Sequence, residues 1–334
     1  MTIITLTLEA LNPARPRWWG DFSPSARGPV TSASLGPTPI PLPSTLAGAI
    51  AAALGARPES CGDFKDPLEC QTAALHSVGV LELRGPLLAV EVRGSVEPLV
   101  PWGSGFKDLE GNEYTVAAGE RAGVALSRTS KSVLEGYLYF EELAWGVTSG
   151  NGGIKPYKLV VEVVVDNGFA APSLVLLGGE KPAFKSDSLP RSLVEERLAS
   201  LWEDGWEGEV HESVVAVATP TVLPEDTKPS PISLMESLEN ALNSLLSKME
   251  PVKIEPIIRC TIAALGLGYD MARNLPRPYK PVLLPGCLFR VKTRSGFQPS
   301  RLYREGLGRY ANLGWGTILP LPPSIGEKLS RSEE

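Results

Sequence analysis

Little in this chain of 334 residues is suited to catalysis. It has only two histidines, His76 and His211, and four cysteines, Cys61, Cys70, Cys260 and Cys287, with no C-x-x-C pair among them. That excludes a zinc framework, and no H-E-x-x-H occurs either. A G-x-x-x-x-G-K-[ST] phosphate loop is missing, Gly306-x-Gly308 lacks the third glycine of a dinucleotide fingerprint, and Gly103-Ser104-Gly105 is not a nucleophile elbow. No metal and no cofactor is therefore expected. His76 lies among apolar neighbours and His211 among acids, and each reads as a surface or core residue rather than a general base. No apolar run is long enough to span a bilayer, and the opening MTIITLTLEALNPARP lacks the basic and apolar regions of a signal peptide. The expectation is a cytoplasmic protein with no membrane partner, in which Cys61 and Cys70 are reduced thiols.

Positive charge is also scarce overall. The formal net charge of −6 argues against a protein that coats itself uniformly with nucleic acid. Its distribution is uneven: between Lys253 and Arg309 stand eleven Lys and Arg against three acids, a local excess of eight positive charges on an acidic remainder. Attraction to phosphate follows local potential, so this suggests one anion-binding face beside surfaces for protein partners.

The length predicts two domains, and the hydrophobic fraction of 43% gives each enough material for a core. Ile4, Leu6, Leu8 and Ala10 alternate with polar residues, the pattern of a half-buried strand. A helix is predicted over 46–54, capped by Ser44 or Thr45 and stopped by Gly55. Further strands are predicted at 87–92, 137–143, 159–165, 174–177, 214–218, 257–264, 288–292 and 317–319. Two more helices are predicted at 192–202 and 233–249, the second opened by a Ser233 to Glu236 capping box. Residues 219–231 read as a linker or flexible loop. Strands interleaved with a few helices, without regular βαβ spacing, predict α+β domains on antiparallel sheets. The boundary is expected near residue 165, giving units at 1–165 and 166–334.

The densest signal is Gly306-Leu307-Gly308-Arg309-Tyr310-Ala311-Asn312-Leu313-Gly314-Trp315-Gly316. Gly306, Gly308, Gly314 and Gly316 can expose backbone N–H groups to a phosphate chain while Arg309 supplies charge. The same pattern also describes a tight turn before a last strand. Tyr310 and Trp315 stand between base stacking and core packing, Trp315 the more readily core.

Several segments together resemble the third Cmr subunit of type III-B CRISPR–Cas effector complexes, a RAMP-superfamily protein. Leu42-Pro43-Ser44-Thr45-Leu46-Ala47-Gly48-Ala49-Ile50 is similar to that family's opening motif. The basic segment 121–131, followed by Glu135-Gly136-Tyr137-Leu138-Tyr139, resembles its basic stretch before an E-G-x-L-Y strand. Leu177-Gly178-Gly179-Glu180-Lys181 resembles its L-G-G-E-[RK] turn. Gly268-Tyr269-Asp270-Met271-Ala272, Pro276-Arg277-Pro278 and Leu284-Pro285-Gly286-Cys287-Leu288-Phe289 are similar to its signatures before the last strands. Tyr269 departs from the usual tryptophan, and Gly286-Cys287 from the usual Gly-Ser. The matches run in order from Leu42 to Gly316.

The resemblance implies two ferredoxin-like, RRM-related domains that hold the 5′ tag of crRNA, between the large Palm-domain Cmr subunit and the backbone RAMP subunit. It implies no nuclease activity in this chain. The expected RNA contacts are Ser44 and Thr45 at a helix start; Arg121, Arg128 and Lys131 in a mobile loop; Gly178 and Gly179 in a turn; Arg273, Arg277 and Lys280 in a Pro-stiffened loop; and Gly306, Gly308, Arg309, Gly314 and Gly316 in the glycine loop. Backbone amides and guanidinium groups suit phosphate, and stacking planes suit splayed bases. The alternatives are a metal-independent RAMP endoribonuclease that processes repeat RNA, with His76 as its candidate, and a protein scaffold whose basic segment meets an acidic partner.

Overall fold

The computed structural model describes residues 2–14, 40–56, 66–102, 105–126, 133–150, 152–177, 182–203, 205–224, 231–246, 252–258, 260–267, 269–270, 275–276 and 279–330. Strand β1 (Thr2–Ala10) is followed by helices α1 (Pro43–Ala53) and α2 (Pro67–His76), and then by strand β2 (Val80–Val92). Strands β3 (Lys158–Val165) and β4 (Ala183–Leu189) complete a sheet ordered β4-β1-β3-β2, widened at its edges by Leu174–Leu176 and Ser95–Pro98. Every neighbouring pair is antiparallel. β1 and β2 both run antiparallel to β3, which lies between them: this is the split βαβ arrangement of a ferredoxin-like domain.

Helix α3 (Leu193–Leu201) leads to a second copy of the same plan. It comprises β5 (Val210–Val217), α4 (Pro231–Leu245), β6 (Lys253–Ile258), β7 (Leu288–Phe297), α5 (Pro299–Glu305), β8 (Ile318–Leu321) and a closing helix α6 (Pro323–Ser330). The sheet order β8-β5-β7-β6, again antiparallel throughout, repeats the first. The expected α+β fold with two ferredoxin-like domains is what the chain adopts. The first sheet takes its last strands from beyond residue 165, so a boundary there would cut it; the sheets divide between Leu189 and Val210.

Three apolar clusters hold these layers. Leu6, Leu8, Val161 and Val163 of the first sheet pack under Leu46, Ile50, Leu68 and Leu75 of α1 and α2. Leu234, Leu238 and Leu242 of α4 cover Val215, Val217, Phe289 and Val291 of the second sheet. Burial of each such side chain contributes roughly 1.5–3 kcal/mol. Between the sheets, Leu87, Ala89 and Val160 meet Val214, Ala216, Leu288 and Leu319. A buried carboxylate joins this layer to the helices: Glu162 Oε1 accepts from Ser192 Oγ at 2.6 Å and from Val194 N at 2.8 Å at the start of α3. Its Oε2 accepts from Tyr303 Oη of α5 at 2.7 Å. Burial pushes the Glu162 carboxyl above the usual carboxylate range, although these donors and Arg84 oppose the shift.

Several local expectations are revised. Helix α1 starts at Pro43, so Ser44 and Thr45 lie inside its first turn, and its N-cap, Leu42, has no polar side chain with which to cap it. Helix α4 starts at Pro231, ahead of the expected Ser233. Residues expected as one strand at 257–264 divide into β6 and a separate strand, Ile262–Gly266. Arg121 lies on a strand, Glu113–Leu126, paired with Val133–Thr148, and not in a mobile loop. Of the expected linker at 219–231, Thr219, Thr221, Val222 and Leu223 are buried, and Thr221–Val222 pairs with Tyr279–Leu283. Cys260 and Cys287 form a disulfide with Cα atoms 4.6 Å apart, because they flank β6 and β7, which pair through Ile258 and Leu288. Cys70 is also disulfide-bonded, whereas a reduced thiol was expected. No helix among the described residues is long and apolar enough to cross a membrane.

Candidate nucleic-acid interface

The glycine loop runs from the end of α5 to the start of β8, and its glycines meet protein backbone. A Cβ on Gly316 would fall 1.8 Å from the Leu307 carbonyl oxygen, and one on Gly314 would fall 2.1 Å from that of Gly85. On Gly308 it would meet the Val222 oxygen at 2.5 Å. Gly306, Gly308, Gly314 and Gly316 all have positive φ, between 65° and 84°. The space expected for a phosphate at Gly314 and Gly316 is filled by the chain itself.

What the loop does in the fold is join the two halves. Leu83 N of β2 donates to Asn312 O at 2.9 Å, and Gly85 N donates to Thr317 Oγ1 at 2.9 Å. Thr219 Oγ1 donates to Gly314 O at 2.7 Å, and Arg309 N donates to Val222 O at 3.1 Å. Trp315 is fully buried, as its core reading expects.

One stretch of the loop faces outward. Gly308 and Arg309 are exposed and Tyr310 is half-buried, with Tyr310 in the left-handed region at φ 63°. The Arg309 guanidinium lies 5.1 Å from the Tyr310 ring centre and 3.9 Å from Asp66 Oδ2. Tyr310 Oη donates to the same carboxylate oxygen. Asp66 is the N-cap of α2 and accepts from Leu68 N at 2.8 Å, so the first domain grips the tip through a residue that is itself fixed. Burial, reinforced by Asp66, keeps the Tyr310 hydroxyl protonated well above its ordinary range. The arrangement presents one oriented guanidinium on a loop that cannot easily shift. That is a means of holding an anionic group.

The other expected contacts divide. Ser44 is buried and its hydroxyl donates to Leu267 O at 2.8 Å, while its carbonyl accepts from the Gln71 amide. It ties α1 to the second half of the chain. Thr45 is half-buried next to it. Lys280 is half-buried on Tyr279–Leu283, opposite Leu265. Thr221–Val222 joins this strand to the Arg309 backbone, so Lys280 and Arg309 share one small sheet. Arg128, Lys131, Gly178, Gly179, Arg273 and Arg277 lie outside the described residues.

His76 is exposed at the end of α2, with Nε2 3.1 Å from Leu81 O, and His211 is exposed on β5. Among the described residues no group of His, Cys, Asp and Glu could hold a metal ion. Two residues near the tip were missed from sequence. Asp66 carried a readable signal, an N-cap aspartate before a helix-initiating proline. Tyr279, exposed at 65%, precedes Lys280 in the basic segment.

Residues 22–119 match the family model described as CRISPR-associated protein (Cas_Cmr3). No curated protein matches the chain by sequence. Among solved structures, it is similar to a chain of the type III-B Cmr-beta complex bound to cognate target RNA and AMPPnP, with TM-score 0.50 and 17% identity over 86% of each chain. The same complex bound to cognate target RNA gives TM-score 0.50 and 18% identity over 86% of each chain. A Cas6-related protein from Pyrococcus furiosus matches at TM-score 0.38 and 12% identity, over 96% of this chain and 99% of that one. The resemblance read from the motifs is thus met by a family segment at residues 22–119 and, separately, by a fold shared with a chain of the type III-B Cmr-beta complex.

Proposed function

We propose that the chain is a non-catalytic RNA-binding subunit of a type III-B CRISPR effector complex in the cytoplasm. In this reading it holds the 5′ tag of crRNA and bridges the large Palm-domain subunit to the backbone RAMP subunit. The observation that carries the proposal is Arg309: an exposed guanidinium at the tip of a loop whose glycines lock both halves of the fold together. A phosphate contact at this point costs little ordering, since the backbone beneath it is already fixed. Gly306, Gly308, Gly314 and Gly316 serve by shaping the tip, with Gly308 the one exposed glycine among them. Lys280, on the same small sheet, extends the basic surface. Arg121, Arg128, Lys131, Gly178, Gly179, Arg273 and Arg277 are proposed as further contacts on their sequence pattern. Ser44 and Thr45 are proposed to act indirectly, by fixing α1 beside Leu267.

The test is to isolate the native complex through this chain and sequence the 5′ ends of the RNA that comes with it. A common repeat-derived 5′ tag is expected, and the purified chain should leave repeat RNA intact in EDTA. Specific cleavage lost on His76→Ala would establish the endoribonuclease reading instead. Recovery of the complex without RNA at low salt would favour a protein scaffold.

A further inference from the structure

We infer that Tyr279 is a stacking platform for one unpaired base of the bound RNA. The inference rests on the RNA-binding reading above and adds a base contact to it. Tyr279 opens the strand Tyr279–Leu283 and is 65% exposed, while Tyr157, Tyr303 and Trp315 are fully buried. Its ladder partner is Gly266. Ring atoms Cε1, Cζ and Cδ1 lie 3.6, 3.8 and 3.9 Å from where a Cβ on Gly266 would stand. The ring therefore lies over a residue with no side chain to compete for the space, with much of its surface left to solvent. A ring already resting on the ladder loses little freedom when a base covers it.

Its position ties it to the proposed phosphate contact. Val222 pairs with Val282 on one side and with Arg309 on the other. Two strand steps of about 4.8 Å and three residues of about 3.3 Å each place Tyr279 and Arg309 roughly 14 Å apart along this sheet. Successive residues face opposite ways, so Tyr279 and Lys280 flank the end of the ladder, one with an aromatic face and one with an ammonium group. The occupant is argued from the charges nearest the ring: Lys280 on the same strand and Arg309 across the ladder favour a polyanion over an apolar protein knob, while Arg290, Lys292, Arg301 and Arg304 of the same basic segment are paired with carboxylates. Single-stranded nucleic acid supplies both the phosphates and a stackable π-face at every base.

The experiment measures affinity of the full chain for tag-containing RNA, and for versions with one base removed at each position in turn, using wild type, Tyr279→Ala and Tyr279→Phe. Tyr279→Ala is expected to weaken binding roughly 5- to 150-fold, with the salt dependence and melting temperature unchanged, and Tyr279→Phe to stay within about twofold. At one position, base removal should weaken wild type but add nothing to Tyr279→Ala. If wild type binds RNA and Tyr279→Ala binds equally well, the inference fails while the RNA-binding reading stands. An alanine penalty that is the same for every base-deleted RNA also overturns it. So does loss of a co-purifying protein with RNA affinity intact, which assigns Tyr279 to a protein contact. A wild-type chain that binds no RNA at low salt overturns both.

Discussion

Gly314→Ala separates two accounts of the glycine loop. If Gly314 offers its backbone to phosphate, the substitution weakens RNA binding and leaves stability nearly intact. If it lets two protein segments touch, stability falls first. The added Cβ would meet the Gly85 carbonyl oxygen at 2.1 Å, at a residue whose φ is +84°. The left-handed backbone alone costs an L-residue about 1–2 kcal/mol. The contact must also open by about 1 Å to reach a tolerable separation. That lengthens the Leu83 N to Asn312 O and Gly85 N to Thr317 Oγ1 bonds, both 2.9 Å, beyond hydrogen-bonding range. Two buried groups left unpaired cost about 2–4 kcal/mol together, so the total is about 3–6 kcal/mol. Gly55→Ala is the control, with φ +85° and nothing within 4 Å of the new Cβ, and it should cost only the backbone strain. Thermal melting should place Gly314→Ala below wild type by roughly 5–15 °C and clearly below Gly55→Ala. Equal melting of the two variants would refute the reasoning, as would a stable Gly314→Ala protein that has lost RNA affinity.

Ser44→Ala removes a buried hydroxyl bond to Leu267 O; a loss of about 1 kcal/mol in denaturant titration is expected, with RNA affinity unchanged. Reducing the Cys260–Cys287 bridge, or changing Cys260→Ser, should destabilise the protein by about 3–4 kcal/mol on loop closure over a separation of 27 residues. Unfolding that is insensitive to reductant contradicts this. Glu162 holds its proton to higher pH in the folded state than its ordinary value of 4.5 allows, so its contribution to stability falls as pH rises from about that value through the folded pKa. Subtracting the stability curve of Glu162→Gln from that of wild type should isolate this decline; parallel curves would show that Glu162 is not shifted.

The sequence carried the periodic elements well. β1 was legible because its alternation reflects one face packed under α1 and α2, and α4 because a leucine stripe is needed to cover a sheet. The antiparallel α+β plan followed from the order of such elements, and the expectation of two domains from the length of the chain. Features set by distant partners were not legible. Gly314 and Gly316 look identical whether they face a phosphate or a carbonyl, and only their contacts with Gly85 and Leu307 decide between these. Ser44 reads as a helix cap until Leu267, 223 residues away, takes its hydroxyl. The return of β4 to pair with β1, across the boundary expected near 165, was not legible either. Arg309 was legible as a candidate, but its fixation was not, since Asp66, which holds both Arg309 and Tyr310, comes from the other domain.

The central claim is that Arg309 contacts RNA phosphate, and the salt dependence of affinity tests it most directly. Binding of tag-containing RNA should be measured across a salt series for wild type and Arg309→Gln. The account predicts weaker binding by the variant and a log–log slope shallower by about 0.7, one phosphate contact on a single strand. An unchanged affinity and slope, with wild type binding RNA, would contradict it.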